Sequence, residues 1–304
     1  MPDATDEPTV PPDPDRALYS PEETRVVGAD TYLETYLDHP EGVAVSRDGT
    51  VYASGEDGQV YRIRGETEVD LLASTGGSTL GVTLTPDEES LYVCDFQRHA
   101  LFRLDLDGGD PAVELQGSEE EPPIQPNFAA FDGAGRLFLS DSGDRRISGA
   151  ETGGRLLYRD TGGTWHTLTD RFSAWTNGLA FSRDFSTLYV VESRSERLWA
   201  LSLSGTEITD ATLVADDLGI IDGIALDAND DVYVAATGRD AVYRVRDGET
   251  ELLLHDPVGR VLCRPTNLAF GGPEIQTLYI AQLGLAHLTA IDLDAKGRYP
   301  TARL

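Results

Sequence analysis

One pattern of apolar and polar positions recurs along the chain. A leading residue, polar in five of the six copies, is followed by small or apolar positions, a turn rich in Asp, Gly or Ser, and an apolar strand of the Leu-Tyr-Val type. The copies are spaced by 39, 47, 50, 45 and 45 residues and begin at Glu41, Leu80, Asn127, Asn177, Asp222 and Asn267. Repeats of about 40 to 50 residues are typical of β-propeller blades.

Each copy predicts two strands joined by a tight turn. A third strand is predicted after each copy, over Gln59–Ile63, Ala100–Asp105, Arg155–Tyr158, Arg197–Leu203, Ala241–Val245 and Leu288–Leu293. A fourth strand follows the first five of these, for example at Glu68–Ala73, Thr164–Leu168 and Glu249–Leu254. Too few residues follow the sixth for a fourth strand, so we expect Glu23–Val27 to supply it.

The predicted fold is therefore an all-β, six-bladed β-propeller, closed by an N-terminal strand that completes the last blade. It is expected to span residues 17–304, and residues 1–16, rich in Pro and Asp, are expected to form a disordered tail. A β-sandwich or two small barrels would not account for six evenly spaced copies. The sequence contains no run of 18 apolar residues, so no membrane-spanning helix is predicted.

The charge of the chain is strongly acidic. Asp and Glu number 53 against 24 Lys and Arg, which gives a formal net charge of −29. Such a surface repels nucleic acid and anionic membranes, so neither is an expected partner. The acids are spread over every segment, which favours adaptation to molar salt and the cytoplasm of a salt-accumulating organism; attraction of cationic partners is the alternative. Cys94 and Cys263 have no paired spacing and are expected to be free thiols.

The leading residues of the six copies are candidates for a common site. The innermost strand of each blade runs along the central channel, so these residues are expected to meet around one axis. Five of them carry carboxylate or amide oxygens, which suit a hard divalent cation. Zinc would more often bring His or Cys. Two alternatives remain: Asn-Gly and Asp-Gly also suit turns, and ordered water could satisfy the same groups.

Four segments carry a resemblance to a known family: QPNFAAFDGAGRLFLSD, TNGLAFSRDFSTLYVVES, IDGIALDANDDVYVAATG and RPTNLAFGGPEIQTLYIA. They resemble the regucalcin/gluconolactonase family of six-bladed propellers. The resemblance implies a divalent metal, Ca²⁺ first with Mg²⁺, Mn²⁺ or Zn²⁺ as alternatives. Its residues would be Glu41, Asn177 and Asp222, together with Asn127, which would lie near both metal and substrate. Many sugar lactonases of the family have Arg and Asp where this chain has Gln125 and Phe128. That departure argues against a standard aldonolactone substrate and leaves the hydrolytic centre in place.

A metal at this position would polarise an ester carbonyl and activate water, with Asp222 as the catalytic base. The predicted function is a metal-dependent lactonase of the sugar-lactone or gluconolactonase type, a carboxylic-ester hydrolase that acts on a small lactone or ester with a divalent cation in the propeller channel. Its substrate-binding residues are predicted to be Gln125, Trp175, Asn267 and His287, and Asp95, His99, Asp141, Glu192 and Gln282 are further candidates on the loops.

Three other functions remain open from the sequence. The same metal would serve a phosphotriesterase-like or arylesterase-like hydrolase. A strictosidine-synthase-like lyase would lack the ring of oxygen ligands, and a non-catalytic binding propeller of the NHL type would have no need of it. No G-x-S-x-G elbow or H-E-x-x-H motif offers a competing centre.

Overall fold

The computed structural model describes residues 17–30, 36–143, 153–172 and 175–300. The predicted tail, residues 1–16, lies outside this part of the chain. The described residues form six four-stranded antiparallel sheets, arranged as the blades of a β-propeller. The all-β, six-bladed prediction is confirmed. Among the described residues, no helix is long and apolar enough to span a membrane.

The strands of the first five blades follow one another along the chain, from the channel outwards. They are β2–β5 (Val43–Val45, Val51–Ser54, Gln59–Arg64, Glu68–Ser74), β6–β9 (Thr79–Leu84, Ser90–Asp95, Ala100–Asp105, Ala112–Gln116), β10–β13 (Pro126–Phe131, Leu137–Asp141, Gly154–Arg159, Trp165–Phe172), β14–β17 (Thr176–Phe181, Thr187–Glu192, Arg197–Ser204, Glu207–Ala215) and β18–β21 (Ile224–Leu226, Val232–Ala236, Ala241–Arg246, Glu249–His255). Short 3-10 turns lie at Pro21–Glu23, Ser193–Ser195 and Thr237–Arg239.

The sixth blade joins the two ends of the described chain. It consists of β22 (Pro265–Gly271), β23 (Thr277–Gln282), β24 (Leu288–Asp292) and, as its outer strand, β1 (Thr24–Val27). β1 pairs antiparallel with β24, from Thr24 opposite Ile291 to Val27 opposite Leu288. The predicted closure by an N-terminal strand is therefore confirmed.

The second strand of each blade lies between two neighbouring blades, which explains its continuous apolar pattern. All six residues of β7 are buried, whereas the outer strand β5 is exposed or half-buried along its length. A sheet that is covered on both faces needs apolar side chains at successive positions, not only at alternate ones. The Leu-Tyr-Val motif of the repeat is thus the signature of packing between blades.

The innermost strands approach one another closely at the start of the channel. A Cβ atom added to Gly178 would lie 2.7 Å from the Cα atom of Gly223 and 2.8 Å from the carbonyl oxygen of Asp222. A Cβ atom on Gly223 would lie 2.1 Å from Oδ1 of Asn267. Neither glycine has a positive φ, and Asn177 and Gly178 belong to β14. The two glycines therefore allow neighbouring inner strands to pack closely. The alternative that Asn177-Gly178 and Asp222-Gly223 are present because they form turns is wrong.

Residues 296–300, here called the C-terminal strap, cross the far end of the channel, where the inner strands end. The carbonyl oxygen of Lys296 accepts a hydrogen bond of 2.9 Å from the amide of Ala228, and the amide of Gly297 donates to Ile275 at 2.7 Å. Arg298 hydrogen-bonds the carbonyl oxygen of Phe181 and lies 3.2 Å from Asp230. Arg298, Tyr299 and Pro300 line a small apolar cavity of about 80 Å³ with the inner strands. The strap thereby links blades four, five and six.

Replacing Arg298 with alanine is expected to destabilise the fold by about 1–3 kcal/mol, because it leaves the Phe181 carbonyl group and the Asp230 carboxylate without their buried charged partner. The measurement is the free energy of unfolding in urea. Arg183→Ala is the matched control, since it removes an exposed arginine from the same region. Equal stability of the two variants would show that the contacts of the Arg298 side chain add nothing to the fold.

Candidate active site

A cavity of about 520 Å³ lies where the inner strands begin. Glu41, Asn127, Asn177 and Asp222 line it together with Leu80, each from a different blade. The sixth ring position, Asn267, is fully buried and does not line the cavity, but its Nδ2 atom donates to the carbonyl oxygen of Glu41 at 3.0 Å. The structure thus brings the predicted ring together at one end of the channel.

The two carboxyl groups of the ring share a poorly solvated environment. Glu41 is 4 % exposed. Burial raises the pKa of its carboxyl group well above the ordinary value, and the nearby charge of Asp222 raises it further. Burial also raises the pKa of Asp222, against hydrogen bonds from Asn177 and Thr237 that lower it. Glu41 is buried and Asp222 half-buried, and two such acids side by side are unfavourable without a compensating positive charge.

The side-chain amide groups of the ring are oriented with their nitrogen atoms bonded and their oxygen atoms free. Nδ2 of Asn127 donates to Oγ of Ser142 at 3.1 Å, and Asn177 donates to Asp222. Within the described chain, four buried ring oxygens have no hydrogen-bond partner: Oδ1 of Asn127, Asn177, Asp222 and Asn267.

Leaving buried oxygens unpaired is costly, so such a set is expected to face a cation. Its members are carboxylate and amide oxygens only, which is the donor chemistry that Ca²⁺ or Mg²⁺ prefers. Of the ring residues that line the cavity, Glu41, Asn127, Asn177 and Asp222 could serve as ligands of a hard divalent cation.

Three hydroxyl groups tie the ring across alternate blade boundaries. Oγ of Ser54 donates to the carbonyl oxygen of Leu80 at 2.6 Å, Oγ of Ser142 to that of Thr176 at 2.9 Å, and Oγ1 of Thr237 to that of Pro265 at 2.6 Å. Each hydroxyl group lies at or just after the end of a second strand and reaches the next inner strand. None of these residues was predicted from the repeat, because Ser54 stands two positions earlier in it than Ser142 and Thr237.

Two of the predicted substrate-binding residues, Gln125 and Trp175, line the cavity. Trp175 has a φ of 68°, and the guanidinium group of Arg194 lies 4.6 Å from its ring centre. His39 and Arg264 also line the cavity, with φ values of 41° and 53°. Neither residue was predicted from the sequence.

The other predicted contacts lie elsewhere. His287 is not among the cavity-lining residues; it lies in the turn between β23 and β24, where burial lowers the pKa of its imidazole. His99 bonds through Nδ1 to the carbonyl oxygen of Ile124. Asn267 faces Glu41. Their described contacts are with the protein itself.

The buried polar residues at the ends of the second strands support the loops. Asp95 accepts a hydrogen bond of 3.0 Å from the amide of Ser78, and Asp141 accepts one of 2.7 Å from the amide of Gln125. Oε1 of Gln282 likewise accepts from the amide of Cys263 at 2.9 Å, and Glu192 accepts from Nε1 of Trp199 at 3.0 Å. All four residues are at most 4 % exposed and hold neighbouring protein groups in place.

Comparisons with known proteins agree with this architecture. The model of the SMP-30/gluconolactonase/LRE-like region matches residues 112–283, more than half of the chain, and the strictosidine synthase-like N-terminal model matches residues 24–63. A pentonolactonase of Haloferax volcanii is 27 % identical over 237 residues, which cover 75 % of each chain.

Solved structures show the same fold. A structure of regucalcin from Agrobacterium tumefaciens, described as a calcium-binding protein, superposes with a TM-score of 0.72 at 19 % identity, covering 92 % of this chain and 97 % of that one. A gluconolactonase of Xanthomonas campestris gives a TM-score of 0.70 at 20 % identity, covering 88 % and 94 %.

Proposed function

The chain belongs to the SMP-30/gluconolactonase/LRE-like family, and we propose on that basis that it hydrolyses a lactone with the help of a divalent cation in its propeller channel. The similarity to the Haloferax pentonolactonase and to the Xanthomonas gluconolactonase supports a lactone as the substrate class. The similarity to a calcium-binding regucalcin supports Ca²⁺ as the first candidate, with Mg²⁺, Mn²⁺ and Zn²⁺ as alternatives.

The observation that carries the proposal is the set of buried, unpartnered oxygens in the ring. A purely structural channel would pair these oxygen atoms with donors of the protein, just as the amide nitrogen atoms of Asn127 and Asn267 are paired with acceptors. A non-catalytic binding propeller has no use for two neighbouring acids, one buried and one half-buried, at the same place. The ring is therefore best explained as a cation site that faces a substrate cavity.

Each ring residue then has a distinct task. Glu41, Asn127 and Asn177 would supply ligand oxygens, and Asn267 would hold Glu41 in place through its amide nitrogen. When bound, the cation would polarise the ester carbonyl and lower the pKa of water. Asp222 would accept the proton of the attacking water, because a carboxylate that uses one oxygen as a ligand keeps the second for the proton. Trp175 and Gln125 would form the wall against which the lactone ring lies.

Removal of the divalent cation is expected to abolish lactone hydrolysis and to lower the melting temperature. A ligand present at 100 times its dissociation constant stabilises the folded state by about 2.7 kcal/mol, so restoring the correct ion should recover both properties. Proton release from a panel of lactones would be measured after chelation and after addition of Ca²⁺, Mg²⁺, Mn²⁺ or Zn²⁺. Molar KCl would screen the net charge of −29.

The outcomes separate the alternatives. Cation binding without turnover of any lactone would overturn the lactonase proposal and direct the assay to phosphotriesters and aryl esters. Absence of cation binding by calorimetry would contradict the metal site itself and favour a binding propeller. Full activity in molar KCl with loss at low salt would support our proposal that the protein is adapted to molar salt.

A further inference from the structure

Arg264 lies at the mouth of the cavity, three residues before Asn267. It lines the cavity, and its side chain is exposed. Its backbone has a left-handed conformation with φ of 53°, which is uncommon for a residue other than glycine. Two hydrogen bonds fix this conformation: the amide of Arg264 donates to Oδ1 of Asp240 at 2.6 Å, and its carbonyl oxygen accepts from Leu283 at 3.0 Å. The protein thus holds this residue at the cavity rim.

The guanidinium group of Arg264 makes no hydrogen bond or ion pair with the described residues. This is notable in a chain with 53 acidic residues and only 24 basic ones. The acid beside it, Asp240, binds the backbone amide of Arg264 through Oδ1. The carboxylates that could neutralise Arg264 from within the cavity also have other partners.

Three acids line the cavity with Arg264. Glu41 and Asp222 belong to the proposed cation site. Oε2 of Glu56 lies 3.5 Å from Nδ1 of His39. Once a divalent cation balances the two ring carboxylates, the positive charge of Arg264 is left available to a ligand.

We propose that Arg264 is a specificity-determining residue that binds a carboxylate carried by the lactone substrate, away from the ester that is cleaved. This inference rests on the proposed lactonase function. The planar guanidinium group matches a carboxylate with two parallel hydrogen bonds. Apolar neighbours along the cavity, such as Leu80, Phe96 and Leu283, lower the local polarity and strengthen such a pair. The preferred substrates would then be lactones of sugar diacids or similar acids.

Two lactones that differ only in this group test the proposal. Glucaro-1,4-lactone carries a carboxylate where glucono-1,4-lactone carries a hydroxymethyl group. We expect the wild-type protein, loaded with its cation, to have the higher kcat/KM for the glucaro-lactone. Arg264→Gln should lower that value roughly 10- to 100-fold, mainly by raising KM, and change the value for the glucono-lactone less than about threefold. For the glucaro-lactone, the kcat/KM of Arg264→Lys should lie between those of the wild-type protein and Arg264→Gln, because lysine keeps the charge and loses the paired donors.

Arg260→Gln is the matched control, because it removes an exposed arginine of the same loop that does not line the cavity. It should leave the ratio of the two kcat/KM values unchanged. Equal losses of Arg264→Gln on both lactones, or no loss on either, would overturn the assignment.

A failure of the lactonase proposal would be visible separately. If the wild-type protein hydrolyses neither lactone, calorimetric binding of the same pair still tests Arg264. Tighter binding of the glucaro-lactone that is lost in Arg264→Gln would support the carboxylate site, and equal affinities for the two lactones would refute it.

Discussion

Replacing Asp222 with asparagine is expected to lower kcat/KM for lactone hydrolysis by about 10³-fold while the fold stays intact. The amide has nearly the same size and retains an oxygen that can serve as a ligand, but it cannot accept the proton of the attacking water. The donors near Asp222, from Asn177 and Thr237, can still meet that oxygen. Steady-state kinetics on a lactone substrate, with circular dichroism of the folded state, would measure the effect.

Glu41→Gln is the informative comparison, since it removes the other carboxylate of the ring. Its expected defect is weaker cation binding, because Glu41 is proposed only as a ligand. High cation concentration should therefore restore much of its activity, whereas Asp222→Asn should stay inactive at any concentration. Turnover by Asp222→Asn within threefold of the wild-type value would place the base on another residue.

The repeat made the fold predictable, and the errors lie at the ends of strands, with the larger error in an outer strand. The predicted third strand of the third blade, Arg155–Tyr158, is one residue too short at each end compared with β12. The predicted fourth strand Thr164–Leu168 ends four residues before β13, which runs to Phe172. Outer strands have only one neighbour, so their length depends on pairing with the third strand more than on a buried apolar pattern.

The ring of the candidate site was predictable because its residues occupy the same position in each repeat. Once six equivalent strands surround one axis, their first residues must meet, whatever the loops do. The mouth of the cavity is different. His39, Trp175 and Arg264 line it from left-handed backbone conformations that no glycine signals in the sequence.

The hydrogen-bond partners of the ring side chains could not be predicted from the repeat either. Asn267 occupies a ring position, yet its amide is bonded to Glu41 and does not line the cavity. The hydroxyl groups of Ser54, Ser142 and Thr237 lie near the ends of second strands in alternate blades, but a serine or threonine at a strand end is too common to single out. Their role becomes visible only through the neighbouring strand that each one bonds.

Replacing Gly178 with alanine is expected to destabilise the protein by about 3 kcal/mol and to abolish the rise in melting temperature on cation binding. The new methyl group would lie within 2.9 Å of three backbone atoms, from Asp222, Gly223 and Ile224. Backbone atoms cannot swing away as a side chain can, so the fourth and fifth blades must separate. The amide of Gly178 donates to the carbonyl oxygen of Asp222 at 3.2 Å, and this hydrogen bond would be lost when the two blades separate. Urea denaturation and thermal melts with and without cation would measure both effects.

Gly162→Ala is the matched control for this prediction. Gly162 lies in the turn between β12 and β13, has no positive φ, and would place its methyl group 3.2 Å from the movable side chain of Asp160. Its expected effect is within about 0.5 kcal/mol, with a normal response to the cation. If Gly178→Ala behaved in the same way, the close approach of the inner strands would not be what holds Asn177 and Asp222 together. A loss confined to Gly178→Ala would mean that the glycine after the ring residue is needed to bring two neighbouring ligands within reach of one ion.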